Sequence, residues 1–266
     1  MTPTQAAKRA LAFNAILLYI AAYLITIMLH ETGHALMSLA LGGRPVLYST
    51  SVQNANRHLA DSALVLIAAA GPLLSLVQGA SLLAWLRYRP AKGAWGLFWL
   101  YMAAFGLINF LGYLLIAPVV KGGDTGQIMA LLHVPTAVQW VGAVLGLYTL
   151  VKVIGSTAPL FLGLLPTEMQ VEAAQRITAL RGIIWWPWLV GSVVLVVLAL
   201  PAPHPAVVAN MFMSPMVLRR AYANGLQLAP IPGRIATGLL CWQWLPGLAS
   251  AGVGVVFRLL AHGVAW

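Results

Sequence analysis

Residues 11–41 form an apolar run long enough to cross a bilayer, and that run carries His30, Glu31 and His34 towards its end. No other stretch constrains the fold as much. About 20 apolar residues in helical form span the hydrocarbon core. Ionisable groups at that depth must face protein, a water-filled cavity or a bound ion. A helix is therefore expected, with its polar face turned into a bundle. Charge is equally sparse elsewhere: 8% of the 266 residues are charged and 61% are hydrophobic, whereas soluble domains carry about 25% charged residues. At ~20 residues per span, this length holds roughly five or six helices with short connections and leaves no room for a sizeable soluble domain. The expected fold class is an all-α integral membrane protein of about six transmembrane helices, with a small β-like loop or hairpin after the first.

Fifteen basic and five acidic residues give a formal charge of +10. The basic residues are scattered and many flank apolar runs, so they read as interfacial anchors that touch lipid headgroups. Membrane lipids are expected partners; nucleic acid is not. Cys241 is the sole cysteine, which excludes an intrachain disulfide and a cysteine-rich zinc knuckle. Lys8 and Arg9 ahead of an apolar segment mimic a signal peptide. The run is long for one and lacks a convincing small-x-small cleavage site, so the segment is expected to be retained.

Spans are expected at about residues 11–41, 62–86, 94–117, 138–164, 183–200 and 239–260. Gly42, Gly43 and Pro45 end the first. The polar stretch "VLYSTSVQNANRH" follows and reads as a strand or hairpin. Asp124 and Gln127, three apart, form a capping-box pattern at the start of a helix. "PTEMQVEAAQR" reads as a short amphipathic helix outside the core, and Trp185, Trp186 and Trp188 as an aromatic belt. Residues 201–225 read as a loop with a re-entrant or interfacial segment. There is no internal repeat, and Lys and Arg are too evenly shared between loops to set the orientation.

His30, Glu31 and His34 make the pattern H-E-x-x-H. Four residues apart on a helix, the two histidines share one face. Their imidazoles can then meet one Zn²⁺ at about 2.0–2.1 Å. Glu31 lies beside the metal as a base for its water. Bound metal would offset the burial of these polar groups. The bland alternative is a polar helix end with histidines reaching the interface. A catalytic zinc needs a third protein ligand, and the other acids are Asp61, Asp124, Glu168 and Glu172. Asp61 stands at the mouth of the second span, while Glu168 and Glu172 suit a solvated helix face. Asp124 follows Gly122 and Gly123, opens a helix, and comes after Asn109 and Pro118. Capping and ligation compete there, and ligation is preferred given the upstream motif and the lack of rivals. His58, His133, His204 and His262 have no partner at metal-binding spacing, and Lys152 reads as a snorkelling side chain.

These segments resemble the site-2 protease family of intramembrane zinc metallopeptidases. "HETGHAL" is similar to the family's histidine–glutamate helix, and "AGPLLSL" to its Ala-Gly-Pro motif through Gly71 and Pro72. Ser75 stands where the family often has asparagine. "NFLGYLLIAPVVKGGDTGQI" resembles the family's Asn…Asp-Gly segment, although Thr125 separates Asp124 from Gly126 and the interval from Asn109 is longer. The resemblance covers roughly residues 10–135 and marks residues 1–135 as a zinc-binding protease core of three spans plus the Asp124 helix. Residues 136–266 add helices and loops of unassigned role. The resemblance implies one Zn²⁺ per chain on His30, His34 and Asp124, with Glu31 as catalytic base and Asn109 against substrate backbone. It implies a transmembrane protein or peptide substrate and a multi-pass place in a bacterial cytoplasmic membrane. Residues 46–56 would pair with a locally unwound substrate by strand addition, or serve as an ordinary connecting loop. Two other readings compete with an intramembrane protease. One is a CAAX-processing-type membrane metalloprotease with Glu168 or Glu172 as third ligand. The other is a metal-binding membrane scaffold that cuts nothing.

Overall fold

A computed structural model describes residues 5–55, 59–89, 92–201, 205–231 and 237–266. His58 and His204, and the last residue of the 46–56 stretch, lie outside these residues. The first helix, α1 (Gln5–Ala40), is 36 residues long and contains no proline. It ends at a glycine pair. Gly42 takes a φ of 78°, its N–H bonds the Leu39 carbonyl at 3.0 Å, and the Gly43 N–H reaches back to the Ser38 carbonyl at 2.8 Å. This is a Schellman stop, in which glycine supplies the left-handed residue and the last helical carbonyls find donors. The expected hairpin follows as β1 (Pro45–Leu47) and β2 (Val52–Asn54), paired antiparallel with Val46 opposite Gln53. A third strand, β3 (Val264–Ala265), joins the other edge of β1 from the far end of the chain. The strand order is β2-β1-β3, so the outer edge of β2 has no strand partner among the described residues.

Two further helices, α2 (Asp61–Tyr88) and α3 (Gly93–Ile116), complete a three-helix unit with α1. Glycines set the approach. A Cβ on Gly33 of α1 would stand 3.0 Å from the Ala70 carbonyl of α2. A Cβ on Gly79 of α2 would stand 2.6 Å from the Leu107 nitrogen of α3, and one on Gly106 of α3 would stand 2.6 Å from the Ser75 carbonyl. Such backbone contact is the usual means of close packing where lipid supplies no hydrophobic drive between helices. After α3 the chain turns through Ala117 to Gly123 and opens α4 (Asp124–Leu131).

The second half continues as α5 (Thr136–Gly155), α6 (Ala158–Gly163), α7 (Thr167–Val171), α8 (Ala173–Leu180) and α9 (Ser192–Ala199). Two wide turns, Arg181–Trp185 and Pro187–Gly191, join α8 to α9 in one long helix. Pro187 has no N–H for the carbonyl four residues back, Ile183, and the Tyr101 hydroxyl donates to that carbonyl at 2.6 Å instead. The amphipathic segment expected around Glu168 thus divides: α7 stands apart, and α8 begins the long helix some ten residues ahead of the expected span. Next come α10 (Pro205–Met213), a tight turn at Ser214–Leu218, α11 (Arg219–Gln227) and α12 (Trp244–Leu260).

Among the described residues, five helices are long and apolar enough to cross a membrane: Gln5–Ala40, Asp61–Tyr88, Gly93–Ile116, Thr136–Gly163 and Ala173–Ala199. The sixth expected span corresponds to α12, which is shorter at 17 residues. The second half also lies against α1. The Tyr19 hydroxyl meets Ser192 Oγ at 2.9 Å, and the Asn14 amide donates to the Cys241 carbonyl at 2.7 Å. Buried Tyr19 and Tyr23 of α1 pack edge to face on Tyr101 and Phe105 of α3, which stack on each other.

Candidate metal centre

His30, Glu31 and His34 lie on the buried face of α1. His30 Nε2 stands 2.9 Å from Asp124 Oδ2, His34 Nε2 stands 3.3 Å from the same oxygen, and the two Nε2 atoms are 3.1 Å apart. Their donor atoms form one group able to hold a metal ion. A tetrahedral zinc site with arms of about 2.0–2.1 Å has ligand-to-ligand edges of roughly 3.3–3.4 Å, so this triangle is slightly contracted but of the right size. Ligand chemistry fits as well. A carbonyl only accepts, so the 2.6 Å contact from His34 Nδ1 to the Ile67 carbonyl puts the proton on Nδ1 and leaves the Nε2 lone pair facing the triangle.

His30 is held in a comparable way. Its Nδ1 lies 3.1 Å from Ser75 Oγ and 3.0 Å from the Asn109 amide, and that amide also reaches Ser75 Oγ at 3.1 Å. A proton on Nδ1 donates to the serine oxygen and again frees Nε2. Turning the amide end for end brings Asn109 Oδ1 to Nδ1 as a second acceptor. The Tyr113 ring stacks on His30 with centroids 5.3 Å apart and planes 6° from parallel. Asn109, expected to touch substrate, is 8% exposed and is engaged in orienting the imidazole.

Gly71 explains how α2 admits His34. A Cβ there would collide with the imidazole at Nε2 and come within 2.6 Å of Cε1. Asp124 is the first residue of α4 and not its cap: Gly123 holds the cap position, and no side-chain capping bond forms. The capping-box expectation therefore fails, and the carboxylate turns to the imidazoles. A carboxylate ligates a metal as the anion. Gly126 lets the turn fold over this helix, since a Cβ there would strike the Val120 carbonyl and lie 3.0 Å from Lys121 Cα.

The Glu31 carboxylate has no hydrogen-bonding partner among the described residues, and it lines two adjoining cavities. One, of about 320 Å³, is bounded by His34, Asp124, Val52 and Asn54. The other, of about 290 Å³, extends towards Tyr23, Ile27 and Asn210. Thr50, Tyr113, Gly122 and Gly123 wall both. Strand β2 therefore borders the same space as Glu31. Glu168 and Glu172 are exposed, and Glu172 accepts a hydrogen bond from Gln175; neither belongs to the cluster. His133 and His262 also stand outside it, and Lys152 sits 5.5 Å from the Tyr148 ring centroid. Sequence reasoning passed over Tyr113 and Thr50. The signal available for Tyr113 was its place four residues after Asn109, on the same helix face. No family model, curated protein or solved structure matches the chain.

Proposed function

We propose that the chain is an intramembrane zinc metalloendopeptidase of the site-2 protease type, which cuts peptide bonds in or near transmembrane segments. The observation that carries this reading is the meeting of His30, His34 and Asp124 at one point, beside an unpaired Glu31 that lines a cavity. A metal cage alone has no use for that carboxylate. Membrane insertion is supported by the five long apolar helices and by exposed apolar side chains such as Val141, Val144, Leu145 and Tyr148 along α5. Nothing in the placement of Glu168 or Glu172 supports the CAAX-type alternative.

His30, His34 and Asp124 would hold the zinc. When bound, it supplies Lewis acidity towards a peptide carbonyl and acidifies water. The chain's own residues do the rest. Glu31 takes a proton from the attacking water on its carboxylate and later gives it to the leaving amine. Ile67, Ser75 and Asn109 fix the two imidazoles. The free edge of β2 can bind an extended substrate segment by strand addition, which suits a transmembrane helix that has unwound locally to expose its peptide bond.

Metal analysis of purified protein, paired with cleavage of transmembrane peptides in liposomes, tests the reading. Wild type should carry about one zinc per chain and cut; Asp124→Ala should lose both properties, and Glu168→Ala neither. Zinc that survives Asp124→Ala but not Glu168→Ala would overturn the ligand set. A zinc-loaded wild type that cuts none of a broad peptide panel would favour the scaffold.

A further inference from the structure

One large cavity has none of the metal-centre ligands in its wall. It has a volume of about 810 Å³ and opens between α3, α5 and the α10–α11 segment. This lies in the range of small-molecule sites, about 300–1,000 Å³. Its walls are apolar over most of their extent, with Ile108, Leu115, Leu147, Leu150 and Val151 among them. Exposed Met213 and Met216 form part of its rim. A Cβ on Gly112, another wall residue, would meet nothing within 4 Å, so the space reaches the α3 backbone.

Besides Asn210 and Ser214, the polar wall residues lie towards α11. Arg219 and Arg220 are among them. The Arg219 guanidinium lies over the Trp185 ring at 5.1 Å, a contact that orients an arginine without neutralising it. The ion pairs among the described residues are those of Asp124 with His30 and His34, so no carboxylate answers either arginine. Trp185 Nε1 is buried and has no acceptor, and this side chain lines the same cavity. A buried donor left unpaired is destabilising, and an acceptor on a bound molecule would relieve it.

We propose that this cavity binds one anionic phospholipid, with an acyl chain along the α3–α5 wall and the headgroup phosphate at Arg219 and Arg220. Charge complementarity selects the headgroup: two uncompensated guanidinium groups are suited to phosphate, through planar paired donors. A lipid oxygen accepts from Trp185 Nε1. The apolar wall beyond the arginines requires a ligand with a long hydrocarbon part, which inorganic phosphate lacks. None of the zinc ligands lines the site, although it shares Ile116, Val120 and Asn210 with one of the cavities at Glu31; the inference depends on membrane insertion but not on protease activity.

The test uses full-length protein in nanodiscs that contain either photoactivatable phosphatidylglycerol or photoactivatable phosphatidylcholine, with the reactive group in the acyl chain. Crosslinked residues are mapped by peptide mass spectrometry. Phosphatidylglycerol should label the walls around Gly112 and Leu150, with phosphatidylcholine at least tenfold weaker. Arg219→Gln/Arg220→Gln should lower capture about tenfold or more, since each basic residue contributes on the order of 1 kcal/mol towards anionic lipid. Gly112→Phe fills the cavity without touching the arginines and should abolish labelling there while zinc content stays at the wild-type level. Equal labelling by the two lipids would overturn the proposal, as would labelling indifferent to both variants.

Discussion

Glu31 and Gly71 show how much can hang on one side chain or on the absence of one. Glu31 has no hydrogen-bonding partner among the described residues, while the neighbouring imidazoles would carry the ligation, so Glu31→Gln should leave zinc bound and slow cleavage by about 10²–10⁴. Zinc content and peptide cleavage, measured on the same preparation, check this; unchanged cleavage would remove Glu31 from the chemistry. Gly71 acts in the opposite way, by having no Cβ. Gly71→Ala places a methyl group against the His34 imidazole, and the ring cannot retreat without leaving the Ile67 carbonyl. The variant should lose most of its zinc. Gly252→Ala in α12, where a Cβ meets nothing within 4 Å, should keep it. Equal metal content in the two would contradict the packing argument. Ser75 and Asn109 hold His30 from behind, and loss of such partners typically weakens metal binding about 10–100-fold. Asn109→Ala and Ser75→Ala should each fall in that range in a zinc competition titration, with peptide affinity unaffected.

At the scale of elements, α2 and α3 touch through Gly79 and Gly106, within one turn of Ser75 and Asn109. Gly106→Leu would force the helices apart, an overpacking that costs about 1–3 kcal/mol or more. It should reduce zinc retention together with the melting temperature, whereas Ser75→Ala should reduce zinc retention alone. The long apolar helices and the H-E-x-x-H face were legible because both follow from local pattern: run length in one case, the four-residue spacing in the other. Asp124 was legible as a candidate through its glycines, but the sequence gives no distance to a helix ninety residues earlier. The hairpin could be read from its β-formers and loop formers, yet not its third strand. Strand β3 arrives from the end of the chain, and only a tertiary contact pairs it with β1. The long helix through Trp185 begins earlier than its apolar run because α8 is amphipathic, and the hydropathy of a span does not mark where its hydrogen-bonded backbone starts. The Ile183 carbonyl in the wide turn before Pro187 finds the Tyr101 hydroxyl, a partner that hydropathy cannot indicate.

Taken whole, the molecule uses its two halves differently from what the clustering of motifs in residues 10–135 implies. All the metal-centre side chains come from the first half, but the N-terminal part of α1 is buried under the second. Tyr19 bonds Ser192, and a Cβ on Gly191 would lie 2.6 Å from the Tyr19 ring. Asn14 bonds the carbonyls of Leu239 and Cys241, and Ser250 Oγ donates to the Leu17 carbonyl. In a bilayer such interhelical bonds contribute only about 1 kcal/mol each, so the seat of α1 depends on their number and on close packing. His30 stands eleven residues beyond Tyr19 on the same helix, roughly 16 Å along its axis at 1.5 Å per residue. A tilt of α1 would therefore shift both imidazoles relative to Ile67 and Asp124. The expectation is that residues 1–135, expressed alone in membranes, accumulate poorly or bind zinc at least tenfold more weakly than the full chain, and that co-expression of residues 136–266 restores binding. Zinc content and melting temperature of the two fragments, separate and combined, decide the matter. Full zinc retention and an unchanged melting temperature in the 1–135 fragment alone would mean that α1, α2, α3 and α4 hold the metal centre without help, and that the contacts of the second half with α1 serve some end other than seating it.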